Sequence, residues 1–441
     1  MLISNSETRR LLRDNVTNRY IHVYIGGQEV SREKIVAESL RISSSIMDNE
    51  TLRFGGCISS QLTLRFVDFD DFIQSVGGLA EKKIQVYIVC DYTGDPLYPS
   101  DTLYPSDTLY PGQPEFHLER LIYTGYIIIP KRLKNRAIIE ITAYDEFYLM
   151  GKTKCKVAIE KNLNSQPYAY DTLFSFVAGV LSVYDNEVGY SRTFAGDLSG
   201  DRGFQHMVAP NAALGLDADL FKEYADENLT VLDVLKAHCE LNSRFAYINP
   251  AGNLKFTTQY QIAPFGQDST SVKPVDEIIE RHSGLTCEDF TTEQIGYISF
   301  PYIGYISFPY NGGKSRFDYG GTSDKRYWYV SDNIITTWIK ESANVAGIVR
   351  NFNNNDGLNF IFYNLCSYRP FSVTTFGEWW IEVGDRVQAT LQIYNRDGTY
   401  SSMTVDSFVF DREIRGVAGM RATLSAKGTQ YIGKDELQYN E

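Results

Sequence analysis

The stretch Tyr20-Ile21-His22-Val23-Tyr24-Ile25, followed by the pair Gly26-Gly27 and by Gln28-Glu29-Val30, decides the fold class of this chain. Branched aliphatic residues alternate with tyrosine and histidine, which is the period of a β-strand whose side chains point to its two faces in turn. Two glycines between two such runs are typical of a tight hairpin turn. A β-hairpin is therefore predicted shortly after the N-terminus.

The same alternation continues through the first third of the chain. Strands at short spacing, with turn residues between them, are typical of a β-barrel or a β-sandwich. We therefore predict a first β domain at residues 19–150, preceded by a polar N-terminal arm at residues 1–18. Its further predicted strands are Leu40–Ile46, Gln61–Asp68, Lys83–Cys90, Leu121–Ile129 and Ala137–Tyr144.

The middle of the chain has a different pattern. Apolar residues with helical spacing predict two helices, the first with Asp171 as its N-cap, and a hairpin follows the second. Residues 151–260 are therefore predicted to form an α+β middle domain, and residues 261–367 a second, mixed one. The predicted elements are the helices Asp171–Leu181 and Thr230–Leu241, and the strands Arg244–Ile248 and Leu254–Thr257 about the turn Asn249–Asn253.

The strand pattern returns from Tyr368, which predicts a second β domain at residues 368–441. The whole chain is thus expected to be mainly β with an α+β middle, with two barrel or sandwich domains flanking smaller mixed domains. The predicted C-terminal strands are Trp379–Val383, Arg386–Leu391, Ser402–Phe410 and Met420–Ala426, with a turn at Gly384-Asp385.

The composition excludes some functions. The 441 residues are 43% hydrophobic and 22% charged, which fits a globular chain rather than a disordered one. A formal net charge of −13 makes coating of nucleic acid an unfavourable function, because phosphate binding relies on basic patches. No apolar run approaches the roughly 20 residues of a membrane span, and the N-terminus lacks the apolar core of a secretory signal. We therefore expect no membrane insertion, and we expect the chain to be made and folded in a cytoplasm.

No motif predicts a reaction or a cofactor. The sequence contains no Walker A pattern, no strand–GxGxxG–helix unit, no HExxH and no GxSxG. His238 beside Cys239 is one of the nearest approaches to a metal-ligand pair, yet adjacent helical positions point in different directions. We predict no catalytic, cofactor-binding or metal-binding residue, no cofactor and no enzymatic activity. The six cysteines are interpreted as buried free thiols, and the acidic doublets as solvated loop or strand ends: Cys57, Cys90, Cys155, Cys239, Cys287 and Cys366, and Asp70-Asp71, Asp145-Glu146 and Glu288-Asp289.

Two short tandem duplications interrupt the pattern. The segment Tyr98–Leu103 recurs at Tyr104–Leu109, and Ile295–Tyr302 recurs at Ile303–Tyr310. Two copies are too few for a solenoid. The first duplication is interpreted as an exposed extended loop, and the second as a projecting hairpin or an insertion tolerated at a loop tip. Neither segment contains Lys or Arg, so base stacking on nucleic acid is not favoured.

Four segments, in chain order, resemble parts of one known protein family: Phe54–Leu64, Leu103–Gly112, Val231–Phe256, and Tyr368–Phe371 with Trp380–Val387. The first is similar to a stretch near the start of these proteins and the second to a loop often seen in them. The third is similar to their central helix and hairpin, and the fourth to their C-terminal domain. The family is the tail or baseplate hub (T4 hub-like, tail-associated protein) of phages, prophages or phage-tail-like bacteriocins of Gram-positive bacteria.

The resemblance implies a structural role in a virion tail or baseplate. Such hubs are homotrimers whose subunits each hold two β domains related to tail-tube subunits, so that a three-fold spike or tip joins a six-fold tube. The implied partners are the tail tube protein, the spike or tip protein and other baseplate proteins, with DNA passing through the lumen without specific binding. The acidic balance fits such a channel, and it equally fits solubility alone. A siphophage-type tail-tip protein is an alternative, and a cryptic hydrolase or carbohydrate-binding β protein is an alternative of another class.

Overall fold

A computed structural model describes the following residues: 18–46, 56–92, 116–134, 137–155, 173–188, 194, 228–241, 245–256, 273–275, 304–305, 328–329, 371–376, 378–394 and 398–426. Residues 1–17 of the predicted arm and the duplication at 98–112 lie outside these ranges. So does the duplication at 295–310 apart from Gly304 and Tyr305, together with most of the mixed segment 261–367.

A ten-stranded antiparallel sheet organises the described residues. The strands of this sheet are β1 (Asn18–Ile25), β2 (Gln28–Val30), β3 (Arg41–Ser45), β4 (Gln61–Val67), β5 (Lys83–Tyr92), β6 (Phe116–Arg132), β7 (Ile138–Tyr144), β13 (Phe371–Phe376), β16 (Asp411–Arg415) and β17 (Arg421–Ala426). Their order in the sheet is β13-β17-β16-β3-β4-β7-β6-β5-β1-β2, so β13 and β2 lie at its two ends and the described strands do not close into a barrel. The protein is thus mainly β in its described parts.

The remaining elements are short or lie outside this sheet. β10 pairs in parallel with β14, which forms a long hairpin with β15. These elements are β8 (Ala246–Ile248), β9 (Leu254–Phe256), β10 (Lys273–Val275), β11 (Gly304–Tyr305), β12 (Trp328–Tyr329), β14 (Arg386–Tyr394), β15 (Tyr400–Phe408), the 3-10 turn Arg32–Lys34, and the helices α1 (Asp70–Ser75), α2 (Glu146–Met150), α3 (Leu173–Val188) and α4 (Val231–Leu241).

The predicted N-terminal hairpin is confirmed, and its alternation has the expected cause. Ile21, Val23 and Ile25 of β1 are at most 3% exposed and face the core, opposite the aliphatic residues of β5. Gly26 and Gly27 form the turn with φ of +59° and +84°, a region of backbone conformation that glycine adopts at little cost. The other strands predicted in the first third of the chain are also present, with β6 extending beyond its predicted bounds.

Strands from the two ends of the chain share this sheet. Residues Arg41–Ser45 of β3 pair in register with Asp411–Arg415 of β16, which places Ile42 directly opposite Ile414. One hydrophobic cluster contains residues from both segments, including Phe66 and Trp379. The first and last predicted domains therefore contribute to one sheet and one core, and the boundaries drawn between the predicted domains stay a prediction.

The helices and the hairpin predicted in the middle of the chain are present. α4 begins after Thr230, whose Oγ accepts from the Asp233 backbone N–H at 3.2 Å, while Asp233 accepts from the Thr230 backbone N–H at 2.9 Å. This reciprocal pair satisfies backbone donors at the helix start. β8 and β9 follow, and Phe245 packs against Phe410 with ring centroids 5.7 Å apart. Asp171, the predicted N-cap of the first helix, lies outside the described residues.

The strand predicted at Trp379–Val383 is wrong. This segment forms turns, in which the Glu382 backbone N–H donates to Asp385 Oδ2 at 2.7 Å and Gly384 has φ of +82°. All of its apolar side chains are buried, including Trp379 and Ile381. The apolar run thus reflects burial on every side rather than a strand with one solvent face. The predicted turn at Gly384-Asp385 is confirmed, and β16 is an additional strand that the sequence prediction does not contain.

Candidate functional site: outer sheet face and buried polar junction

The outer face of the ten-stranded sheet, opposite the hydrophobic core, is charged on β7, β4, β3 and β16. Arg65 lies directly opposite Glu140, and Arg65 Nε donates to Glu140 Oε2 at 2.7 Å. Glu413 accepts hydrogen bonds from Arg41 and from Arg415 Nη2, the latter at 2.7 Å. The arginines in these pairs are 49–61% exposed, so the pairs add little stability and the face remains open to a partner.

Three arginines stand side by side across β3, β16 and β17. Arg415 lies directly opposite Arg41 on one side and Arg421 on the other. Like charges at directly opposite positions destabilise a sheet, because their Cβ atoms are only about 5 Å apart. Glu413 bonds to two of the three, and its hydrogen bond and charge raise the pKa of Arg415. The side chain of Arg421 makes no ion pair with a residue that the structure describes. We call Arg41, Arg415 and Arg421 the arginine row.

The far end of the same outer face, on β1 and β5, is rich in aromatic side chains. Tyr24 and Tyr87 meet edge to face with ring centroids 5.6 Å apart, and Tyr20 contacts the His22 ring at 5.2 Å. The guanidinium carbon of Arg32 lies 4.3 Å from the centroid of the Tyr20 ring. These half-buried rings form an amphipathic surface, since each tyrosine combines an apolar ring with a polar hydroxyl.

Two carboxylates border these rings. Glu119 Oε1 lies 2.9 Å from His22 Nδ1, and Asp91 Oδ1 lies 2.5 Å from His117 Nδ1. Burial and a hydrogen bond with Asp91 raise the pKa of Tyr20. Burial acts to raise the pKa of Asp91, but hydrogen bonds with Tyr20 and His117 and the charges of His117 and His22 outweigh it and lower that pKa. We call this set the tyrosine–carboxylate patch: Tyr20, Tyr24, Tyr87, Asp91 and Glu119.

A buried polar junction lies where β4, β7, α2 and the hairpin of β8 and β9 approach the C-terminal segment. The Asp145 carboxylate accepts from Ser59 Oγ at 2.7 Å, from the Ser60 backbone N–H at 2.7 Å and from the Phe147 backbone N–H at 3.1 Å. Asp145 thereby caps the start of α2 and ties it to the start of β4. Burial raises the pKa of Asp145 to about 7, against the opposing effect of these hydrogen bonds.

The interpretation of Asp145-Glu146 as a solvated strand end is wrong, because both residues are buried. Asp145 is 2% exposed and Glu146 is 7% exposed. Tyr184 of α3 donates its hydroxyl to Glu146 Oε1 at 2.6 Å, and burial together with the Glu146 charge raises the pKa of Tyr184. These carboxylates therefore hold chain segments together. Asp70-Asp71 is exposed, as predicted, but it lies in the first turn of α1 rather than in a loop or at a strand end. Glu288-Asp289 lies outside the described residues.

A buried arginine completes the junction. Arg412 is 5% exposed, lies opposite Ser44 in β3, and donates from Nη1 to the Ile381 carbonyl at 2.8 Å. Burial lowers the pKa of Arg412, and the nearby charges of Glu382 and Asp385 oppose this effect.

Cavities at the junction are small. One is lined by Ser44, Thr124, Asp145, Asn249, Glu382 and Arg412 and leaves about 20 Å³ for the centre of a water molecule, which is room for about one water. A neighbouring cavity, which also includes Thr124, leaves a similar 20 Å³. Neither space could hold a substrate.

Cysteines and histidines form no metal site in the part of the chain that the structure describes. No three His, Cys, Asp or Glu side chains come together there as they would around a metal ion. Cys57, Cys90, Cys155 and Cys239 are buried free thiols, as predicted, and Cys57 Sγ lies 4.0 Å from Cys239 Sγ. Cys287 and Cys366 lie outside the described residues.

A membrane span is likewise not found among the described helices, none of which has the length and apolar character to cross a bilayer.

Sequence reasoning identified neither the arginine row nor the tyrosine–carboxylate patch. Arg41 is far from Arg415 and Arg421 in the chain, and only the pairing of β3 with β16 brings them together. The alternation in Asp411-Arg412-Glu413-Ile414-Arg415 is the one local signal that could have indicated a charged strand face there.

Comparison with known proteins shows distant structural similarities and no sequence match. No protein-family model matches the chain, and no curated protein matches it. Its fold is similar to a tail protein from Neisseria meningitidis MC58, at 12% identity and a TM-score of 0.42, covering 93% of this chain and 96% of that one. It is also similar to the 43 kDa tail protein of prophage MuSo2 from Shewanella oneidensis, at 9% identity and a TM-score of 0.40, covering 94% and 98%. The descriptions name a tail protein in the first case and a prophage tail protein in the second, and at these values the likeness assigns no function to this chain.

Proposed function

We propose that this chain is a structural hub of a phage tail or of a related contractile injection baseplate. Three copies form a homotrimer, and the two β segments of each copy present six similar units to a six-fold tail tube. The trimer joins this tube to a three-fold spike or tip and contacts other baseplate proteins. DNA passes through its lumen without specific binding, since the acidic chain repels phosphate.

The observation that carries this proposal is the pairing of β3 with β16. An adaptor has to hold its two docking segments in a fixed relative position, because a flexible joint would lose the match between three-fold and six-fold symmetry. Arg41–Ser45 and Asp411–Arg415 pair along their whole length, and both segments bury side chains in one hydrophobic cluster. The N-terminal and C-terminal β segments are thereby held as one body.

The buried polar junction supports a structural role rather than a catalytic one. The Asp145 carboxylate accepts hydrogen bonds from Ser59 and Ser60, and the Glu146 carboxylate accepts one from Tyr184. The adjoining cavities have room for about one water molecule each, whereas ligand pockets are far larger.

The mass of the purified full-length chain in solution tests the proposal. Light scattering after size exclusion is expected to give about 150 kDa for three chains of 50.1 kDa each, and negative-stain images are expected to show three-fold rings. Co-expression with the tube protein and the spike protein of the same tail is expected to yield a complex that copurifies.

Ile414→Arg is the unfolded control: it places a charge in the shared core and is expected to lose the complex together with the fold. A wild-type chain that stays monomeric at every concentration and binds neither protein contradicts the proposal.

A further inference from the structure

We propose that the arginine row of one copy binds the tyrosine–carboxylate patch of a second copy of this chain, so that identical chains associate head to tail. This inference deepens the hub function and rests on it, because a trimeric hub requires a contact between its subunits. It names the two surfaces that form this contact and the charges that specify it.

Among the described residues, the arginine row has fewer carboxylate acceptors than cations. Arg41 and Arg415 share a single carboxylate, that of Glu413, and Arg421 has no ion-pair partner among the described residues. Glu38 lies at the adjacent turn, but its carboxylate accepts from the backbone N–H groups of Val417 and Ala418 at 3.2 and 3.0 Å. Three aligned cations cost the isolated chain stability, and a carboxylate partner would turn that cost into specific binding.

The net charge argues that the partner surface is a second copy. Chains that each carry −13 repel one another, and a contact that pairs opposite charges offsets this repulsion and fixes the register of association. The arginine row is an exposed basic surface in this acidic protein. The arginine row is therefore a surface through which one acidic chain can attract the carboxylates of another.

The position of the two surfaces requires contact between chains. Both lie on the outer face, but five strand spacings separate β16 from β5 in the sheet order. At about 4.8 Å per spacing this is roughly 24 Å along the sheet, too far for ion pairs within one chain. Two different surfaces that bind each other produce a heterologous contact, and such contacts close into a ring when the rotation permits.

The tyrosine–carboxylate patch has the chemistry to accept arginines. Asp91 is 31% exposed and Glu119 is 37% exposed at the side chain, so both can receive further N–H donors. The face of Tyr20 already holds the Arg32 guanidinium, which shows that these rings stack on arginine in this setting. Tyrosine and arginine are also the residues most enriched where protein interfaces gain their affinity.

Charge reversal followed by charge exchange tests the contact. The double variant Arg415→Glu with Arg421→Glu is expected to lower the association constant of the trimer by about tenfold or more, because attraction at the contact becomes repulsion. Sedimentation equilibrium measures this constant. Adding Asp91→Lys and Glu119→Lys to that variant is expected to restore the trimer. Lys131→Glu with Lys134→Glu, at exposed cations outside the row, removes the same charge and is the matched control.

The possible outcomes separate failure of the proposed contact from failure of the trimeric hub. If the wild type is a trimer and Arg415→Glu with Arg421→Glu associates as tightly, this contact is wrong while the hub function stands. If the wild type is a monomer, the contact and the trimeric hub both fail. A trimer that is equally tight in 0.1 M and 0.5 M salt also contradicts the contact, because such ion pairs are screened.

Two further measurements keep the result clear. Circular dichroism checks that each variant folds, and the milder Arg421→Gln, which breaks no described ion pair, is expected to weaken the trimer in the same direction. Binding of a short DNA duplex is measured in parallel. Loss of DNA binding in the double variant with an unchanged trimer would assign the row to nucleic acid and overturn the proposal.

Discussion

Ile414 in β16 lies directly opposite Ile42 in β3, and both side chains are fully buried although they come from opposite ends of the chain. The two β segments therefore stabilise each other through the core, and loss of either side chain leaves a cavity in the centre of the shared sheet.

Ile414→Ala is expected to destabilise the protein by about 2–5 kcal/mol, because it removes buried methyl groups and leaves a cavity. Denaturant unfolding, followed by far-UV circular dichroism and by tryptophan fluorescence, measures the change. Lys134→Ala, at an exposed residue outside the arginine row and the tyrosine–carboxylate patch, is the control and is expected to cost less than about 1 kcal/mol. Separate transitions for the tryptophan signal and the β-sheet signal would contradict a shared core.

The buried Asp145 predicts a pH dependence of stability. Its pKa is raised to about 7, so the folded protein binds this proton more tightly than the unfolded chain, whose carboxyl has a pKa near 3.8. The stabilisation from this bound proton is fully present below about pH 4 and is lost as the pH rises to about 7. Over this range the free energy of unfolding falls by up to about 1.4 kcal/mol per pH unit. Asp145→Asn cannot ionise and is expected to lose this part of the slope.

Unfolding free energies at pH 5 and pH 8 provide the measurement for Asp145→Asn. The variant is expected to gain stability relative to wild type as the pH rises. Asp71→Asn, which removes one exposed carboxylate, is the control and is expected to run parallel to wild type. If the free energy of unfolding of Asp145→Asn changes between pH 5 and pH 8 by the same amount as that of the wild type, the raised pKa of Asp145 is contradicted.

The Cys57–Cys239 pair predicts a specific cross-link. Its sulfur atoms lie 4.0 Å apart, so a small movement brings them to the disulfide distance of about 2.05 Å. Treatment with diamide is expected to oxidise both thiols to one disulfide, with the two hydrogen atoms transferred to the diamide. Peptide mapping under non-reducing conditions detects the bond. Cys57→Ser should not form it, and a Cys90 or Cys155 bond in its place would disagree with the packing of α4.

Gly56, which lies between β3 and β4 in the chain, predicts a steric limit at that position. A Cβ at this position would lie 1.8 Å from the carbonyl oxygen of Ile46, which is backbone and cannot move aside easily. Gly56→Ala is therefore expected to destabilise the fold by more than about 2 kcal/mol. Gly419→Ala adds the same methyl group where nothing lies within 4 Å, and thermal unfolding should leave it close to wild type. Equal melting temperatures for the two variants would refute the close contact.

Local patterns in the sequence predicted most strands and failed where burial is not one-sided. β1 and β7 alternate between core and outer face, so their period is visible in the residues alone. Trp379–Val383 is apolar but forms turns, because all of its apolar side chains are enclosed. Asp145 appears as an ordinary acidic residue in the sequence, but it is buried and accepts hydrogen bonds from Ser59 and Ser60, which are distant in the chain.

The amino-acid sequence by itself determined the β character of the chain, the two helices and the hairpin between its ends, and the acidic net charge. It could do so because alternation, helical spacing and charge belong to neighbouring residues. Tertiary structure alone decided that β3 pairs with β16, and with it the arginine row and the shared core. Strand pairing joins residues far apart in the chain, and its free energy comes from contacts that no local pattern contains.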